Sequence, residues 1–181
     1  MRKLIAVACF LTSWTFGTTV IPMSVERLTQ ASTHVVVGQA ISSRSEWNQQ
    51  HTQIFTYTRF RIARSLKGKA PAEIVVKQMG GRAGGYEQKV AGVRQLNANE
   101  QAVLFVHPSQ AADGSVVITG LMQGDFRIVA SQRGEAVVSN EASGVQQPNS
   151  STSSVEHYAG ARMPLSTLES LVRTAVQRTQ K

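Results

Sequence analysis

Cysteine is almost absent: one occurs in 181 residues, at Cys9. It lies in an apolar run from Leu4 to Phe16 that follows Arg2 and Lys3 and ends in Thr15-Phe16-Gly17. A basic start, about a dozen apolar residues and small residues beyond them predict a secretory signal peptide over residues 1–17, cut between Gly17 and Met23. The run is shorter than the roughly 20 apolar residues of a membrane span. The stretch before Cys9, Leu4 to Ala8, is too short for the signal core of a lipoprotein. Signal removal therefore leaves a chain without cysteine, which excludes disulfides, thiolate catalysis and cysteine zinc sites together. The expectation is an exported protein, periplasmic or secreted, with no transmembrane span and with its core alone for stability.

Other shortages narrow the chemistry. Aromatic residues make up only 6%, too few for a surface built from stacked rings. His34, His51, His107 and His157 are scattered without metal-ligand spacing. The two aspartates, Asp113 and Asp125, each adjoin a glycine in an apparent turn, which gives no paired carboxylates for acid–base work. No G-x-S-x-G nucleophile elbow is present. The glycine-rich stretch Gly80 to Gly85 lacks the Lys-Ser/Thr of a phosphate loop and reads as a hairpin tip, with an anion nest near Arg82 as the alternative. These absences predict no enzyme, no cofactor and no metal.

What is present is a core. Hydrophobic residues reach 41%, enough for one compact domain. Ser24 can cap a short helix through Val25, Leu28 and Gln30. His34 to Ile41 is β-branched and reads as a strand. Ile54 to Ile62 alternates, with Ile54, Thr56, Thr58, Phe60 and Ile62 on one face and Phe55, Tyr57, Arg59 and Arg61 on the other. A turn at Leu66 to Pro71 leads to a strand from Glu73 to Met79, and Gln101 to Val106, apolar on both faces, belongs at the centre of the sheet. Asp113-Gly114 turns into Val116 to Thr119, and Phe126–Val129 and Ala136–Val138 flank a turn at Arg133-Gly134.

Residues 143–156, rich in Ser, Gln and Asn, read as a flexible linker. Ser166 to Glu169 has the spacing of a capping box, after Pro164, for a C-terminal helix over 164–178. Its stripe of Leu168, Leu171, Val172 and Ala175 suits packing on the domain, with a partner-binding helix as the alternative. The fold class is mainly β: a small OB-like barrel over residues 24–142, with a short N-terminal helix and a C-terminal helix.

Charge is unevenly spread. The formal net charge is +8, and residues 59–94 hold nine basic residues against Glu73 and Glu87, a net of +7. Arg59 and Arg61 share a strand face with Tyr57, and Arg64, Lys67 and Lys69 follow, an arrangement able to meet an extended anionic chain. A charged face also blocks edge pairing and aids solubility without any ligand. Tyr57, Arg59, Arg61, Arg64, Lys67 and Lys69 are the candidate binding residues. Export argues against nucleic acid and leaves anionic polysaccharide, the envelope surface or an acidic protein.

Read in order, Ala31 to Ala40, Trp47, the alternating strand to Ile62, Leu66-Lys67-Gly68, Gln78 to Gly81, Asn99 to Phe105 and Gly120 to Phe126 resemble an uncharacterised family of small exported bacterial β-barrel proteins. The resemblance covers about residues 24–130 and the terminal helix, and it implies export and fold. Val35 to Ala40 and Leu66-Lys67-Gly68 also resemble the OB-like barrel of tissue inhibitors of metalloproteinases and netrin-like modules. That resemblance implies a protein-binding barrel, with an inhibitor or accessory factor of a secreted peptidase as the alternative function. Those inhibitors chelate the protease zinc through an N-terminal cysteine, a mechanism that a cysteine-free mature chain cannot use.

Overall fold

The computed structural model describes residues 22–111, 113–130, 136–140 and 162–179. The signal peptide read over 1–17, the linker read over 143–156 and the turn at Arg133-Gly134 lie outside the described residues.

The chain opens with α1 (Val25–Ala31), where Ser24 accepts from the Arg27 amide at 3.3 Å and Val25 and Leu28 are buried. The long strands β1 (His34–Trp47) and β2 (Ile54–Lys67) pair antiparallel, and β2 pairs in turn with β3 (Glu73–Met79). A small hairpin of β4 (Gly81–Ala83) and β5 (Tyr86–Gln88) follows, turning at Gly84-Gly85. The Tyr86 ring meets the edge of Trp47 at 5.7 Å. Then come β6 (Gln101–Pro108), β7 (Val116–Ile118), a 3-10 turn (Leu121–Gly124), β8 (Asp125–Ala130), β9 (Ala136–Ser139), β10 (Met163–Pro164) and α2 (Leu165–Thr179).

Strands β1-β2-β3-β7-β6 close on themselves because β6 pairs with β1, His34 opposite Val106 through Gln39 opposite Gln101. The result is the small OB-like barrel, five strands round, with β8, β9 and β10 extending one wall and the two helices on that side. The β3–β7 seam is parallel and rests on the single pair Val76 and Val116. Three register shifts in β1, between Val35 and Ser42, curl it so that one strand can face two partners.

Burial on two sides explains the apolar runs. Val36, Ala40, Phe60, Val76, Leu104 and Val106 fill the barrel interior. Their neighbours Val35, Val37, Val103 and Phe105 point the other way, into a second core with Val25, Leu28, Phe126, Leu168 and Val172. The stripe of α2 is thus taken up by the molecule itself. That helix begins at Leu165, one residue before Ser166, so Ser166 lies in its first turn rather than at the cap, and Glu169 turns to Arg64. Among the described residues no helix is long and apolar enough to cross a membrane.

Candidate functional site

The alternation of β2 sends Phe55, Tyr57, Arg59 and Arg61 outward because Ile54, Thr56, Thr58 and Phe60 are drawn into the barrel. Register then decides their neighbours. Tyr57 stands between Arg44 of β1 and Lys77 of β3, with the Arg44 guanidinium carbon 5.4 Å and Lys77 Nζ 5.3 Å from its ring centroid. Lys77 Nζ also lies 4.7 Å over Phe55. Such contacts hold the cations in place at about 0.5–1 kcal/mol each where exposed.

One rung further, Arg59 donates from Nη2 to Glu73 Oε2 at 2.7 Å, and Arg61 donates from Nε and Nη2 to Glu73 Oε1 at 3.2 and 3.1 Å. These hydrogen bonds, from Arg59 and then Arg61, hold the Glu73 carboxyl below its usual range. Two guanidiniums share one carboxylate, and both side chains remain 60% exposed. One positive charge on this rung therefore has no counterpart in the ion pairs that its two arginines make.

The other three sequence candidates do not join that face. Arg64 pairs with Glu169 of α2. Lys67 donates from Nζ to the carbonyls of Thr29 and Ser32 at 2.6 and 2.7 Å, so it closes the C-terminal end of α1, which has no basic residue in its own last turn. The Lys69 side chain is exposed, while its carbonyl accepts from His34 Nε2 at 3.0 Å.

Beside the face lies a cavity of about 420 Å³ between the β2–β3–β7–β6 wall, the segment before β6 and the 3-10 turn. Phe55, Met79, Val93, Val117 and Met122 give it apolar walls, and Lys77 stands at the border shared with the basic face. Asp125 and Arg94 also line it. Arg94 bridges two carboxylates, Glu100 on one side and Asp125 Oδ1 at 2.6 Å on the other, and Arg127 Nε adds a contact to Glu100 at 3.3 Å. The Asp125 side chain is 1% exposed.

No protein-family model matches the chain, and a comparison with curated proteins found no match.

Burial pushes the Asp125 carboxyl up to about 6; the charge and hydrogen bond of Arg94 oppose it and Glu100 adds to it. Burial also works against the Glu100 charge, but Arg94, with hydrogen bonds from Asn97, outweighs it and holds that carboxyl below its usual range. Hydrogen bonds from Ser115 and Lys77 hold Asp113 at about 2. Lys77 is opposed by burial, yet Asp113 and Tyr57 keep its pKa above the ordinary lysine value.

The sequence reading missed the Arg94–Glu100–Asp125 cluster. Asp125 looked like a turn residue beside Gly124, and nothing local ties it to an arginine 31 positions earlier. The glycine-rich stretch is a hairpin in which Arg82 pairs with Glu87 at 2.8 Å. Among the described residues no group of three His, Cys, Asp or Glu could hold a metal ion.

Proposed function

We propose that the protein is an exported, non-catalytic binding module that holds an anionic polysaccharide of the cell envelope or its surroundings on the outer face of β1, β2 and β3. Tyr57, Arg59 and Arg61 are the contact residues, joined by Arg44 and Lys77; Arg64, Lys67 and Lys69 lie beyond this face, Arg64 held by Glu169 and Lys67 by the carbonyls of α1. The observation that carries this reading is the pair Arg59 and Arg61, both largely exposed and sharing the single carboxylate of Glu73.

Side chains two apart on a strand stand about 6.7 Å from each other, so the two guanidiniums form a short linear array along β2. Each is a planar fork suited to carboxylate or sulfate, and an approaching anion competes with only one internal partner for two arginines. Arginines hold anions without moving protons, which favours binding over catalysis. An extended polymer of repeating charge fits a flat strand face better than it fits a cleft.

The test is retention of the purified chain on immobilised polygalacturonate against a neutral dextran matrix. The chain is expected to be retained at low salt and released near 1 M, where the screening length falls to about 3 Å. The double reversal Arg59→Glu/Arg61→Glu is expected not to be retained at all. Retention that persists at about 1 M salt, or that survives the double reversal, would overturn the proposal.

A further inference from the structure

We infer that the outer edge of β1 from Ser42 to Trp47 is a docking edge for a second copy of this chain, which adds its own Ser42 to Trp47 antiparallel and in one register. This goes beyond the polysaccharide face, because it joins two such faces into one sheet.

The edge comes first. β6 accompanies β1 only from His34 to Gln39. The segment before β6 then holds Ala40, whose N–H donates to the Glu100 carbonyl at 2.9 Å and whose carbonyl accepts from Asn99 at 2.8 Å. Beyond the register shift between Ala40 and Ser42, β1 runs on to Trp47 with β2 alone as its partner. The β4–β5 hairpin forms a sheet of its own; its Gly81 comes against the Ser45 and Thr56 side chains without making a ladder with β1.

Alternation then says which backbone groups face outward. The Asn48 N–H donates to the Gln53 carbonyl at 2.8 Å, so Glu46 and Arg44, in the same register, also turn their backbone groups to β2. Those of Ser43, Ser45 and Trp47 point away from β2, and among the described residues no strand meets them. Such an open row is a template for another strand, and proteins blunt it with Lys, Pro or a bulge. Ser42 to Trp47 contains neither Lys nor Pro, and the bulge lies at one end of it.

Charge chooses the occupant. Arg44 and Glu46 have side chains 72% and 47% exposed and stand 3.4 Å apart. A second copy laid antiparallel and centred on Ser45 sets Ser43 opposite Trp47 and Arg44 opposite Glu46, twice over by symmetry. The Arg44–Glu46 pairs then fall at the non-hydrogen-bonded positions, where facing side chains come closest, and the four charges alternate in sign. The nearest registers that keep the same hydrogen-bonding groups in use are centred on Arg44 or on Glu46. They set Arg44 against Arg44, or Glu46 against Glu46, and like charges directly opposite are destabilising. The strand is thus complementary to itself in a single register.

The experiment is sedimentation equilibrium of the purified chain at low salt, without polysaccharide. Six residues a side make a small interface, so the expected dimer is weak, with a dissociation constant on the order of 10–100 µM. Arg44→Glu and Glu46→Arg, each alone, are expected to weaken it roughly tenfold or more, because both cross pairs become like-charged. The double exchange Arg44→Glu/Glu46→Arg is expected to restore it, since both pairs return with their signs swapped. An equimolar mixture of the two single variants makes the same test if the double exchange does not fold. A chain that stays monomeric up to about 1 mM overturns the inference. So does a dimer indifferent to the single reversals, or an exchange that dimerises no better than they do. Retention on polygalacturonate turns on Arg59 and Arg61, so the two proposals fail separately.

Discussion

Arg94 stands between two carboxylates in a region where water is scarce, with its own side chain 9% exposed, Glu100 also 9% and Asp125 1%. Desolvating three charges is expensive, and the arrangement holds only because each has its partner in place. Replacing Arg94 by Met leaves two buried carboxylates facing each other. Urea unfolding should register a loss of about 3–5 kcal/mol, and a loss under about 1 kcal/mol would contradict this description of the cluster.

The same cluster makes stability depend on pH in an unusual direction. Asp125 is raised from 3.8 to about 6, so the folded chain takes up its proton before the unfolded chain does as pH falls. Acidification from about pH 7 to about pH 5 should therefore stabilise the wild type relative to Asp125→Asn, by up to ~1.4 kcal/mol per pH unit. Glu73 and Glu100 shift downward from 4.5, so their contributions are present above that value and are lost only as pH falls through their folded pKa values. Thermal melts of both proteins across this range decide the matter; a difference that stays flat would refute the assignment.

Among the elements, β1 and β6 carry most of the architecture, since each is covered by the barrel interior on one side and by the helix-side core on the other. Two-sided burial was plain in the sequence for Gln101 to Val106; His34 to Ile41 read only as a strand, and the alternation of Ile54 to Ile62 decided which residues of β2 face out. The far half of β1 was not plain. Ser42 to Trp47 is polar and lies beyond the strand read over His34 to Ile41, yet it stays extended because every residue from Ser42 to Trp47 has a partner on β2, Arg59 back to Ile54. Close approach between these strands falls at Gly38, where a Cβ would sit 2.1 Å from the Arg61 carbonyl oxygen. Gly38→Ala must push β1 off β2, so it should lower stability by about 3 kcal/mol or prevent folding, as read by circular dichroism and melting. Lys67 acts at element scale too: Lys67→Met should lower stability by about 1–2 kcal/mol through the lost carbonyl contacts of α1, with polysaccharide retention unchanged.

At the scale of the whole molecule, the basic excess of residues 59–94 was readable, but its destination was not. Four acidic residues outside that segment answer it: Glu169 for Arg64, Asp113 for Lys77, and Glu100 and Asp125 for Arg94. These pairings join residues 6 to 105 positions apart, and most of them exist only once the barrel has closed. What the fold leaves outward is smaller than the sequence total and falls in three places: Arg59 and Arg61 on Glu73, beside a tyrosine flanked by Arg44 and Lys77; Arg82 and Lys89 on Glu87; and the exposed Lys69. The cavity beside Asp125 is likewise a product of closure, because its walls come from five separate stretches of chain.

The most direct measurement of the central claim is an amide chemical-shift map of the labelled chain titrated with oligogalacturonate at low salt. The account predicts saturable shifts concentrated on β2 and β3 around Tyr57, Arg59, Arg61 and Lys77, disappearing in Arg59→Glu/Arg61→Glu. Shifts confined to α1, α2 and β9, or the same map in the double reversal, would contradict it.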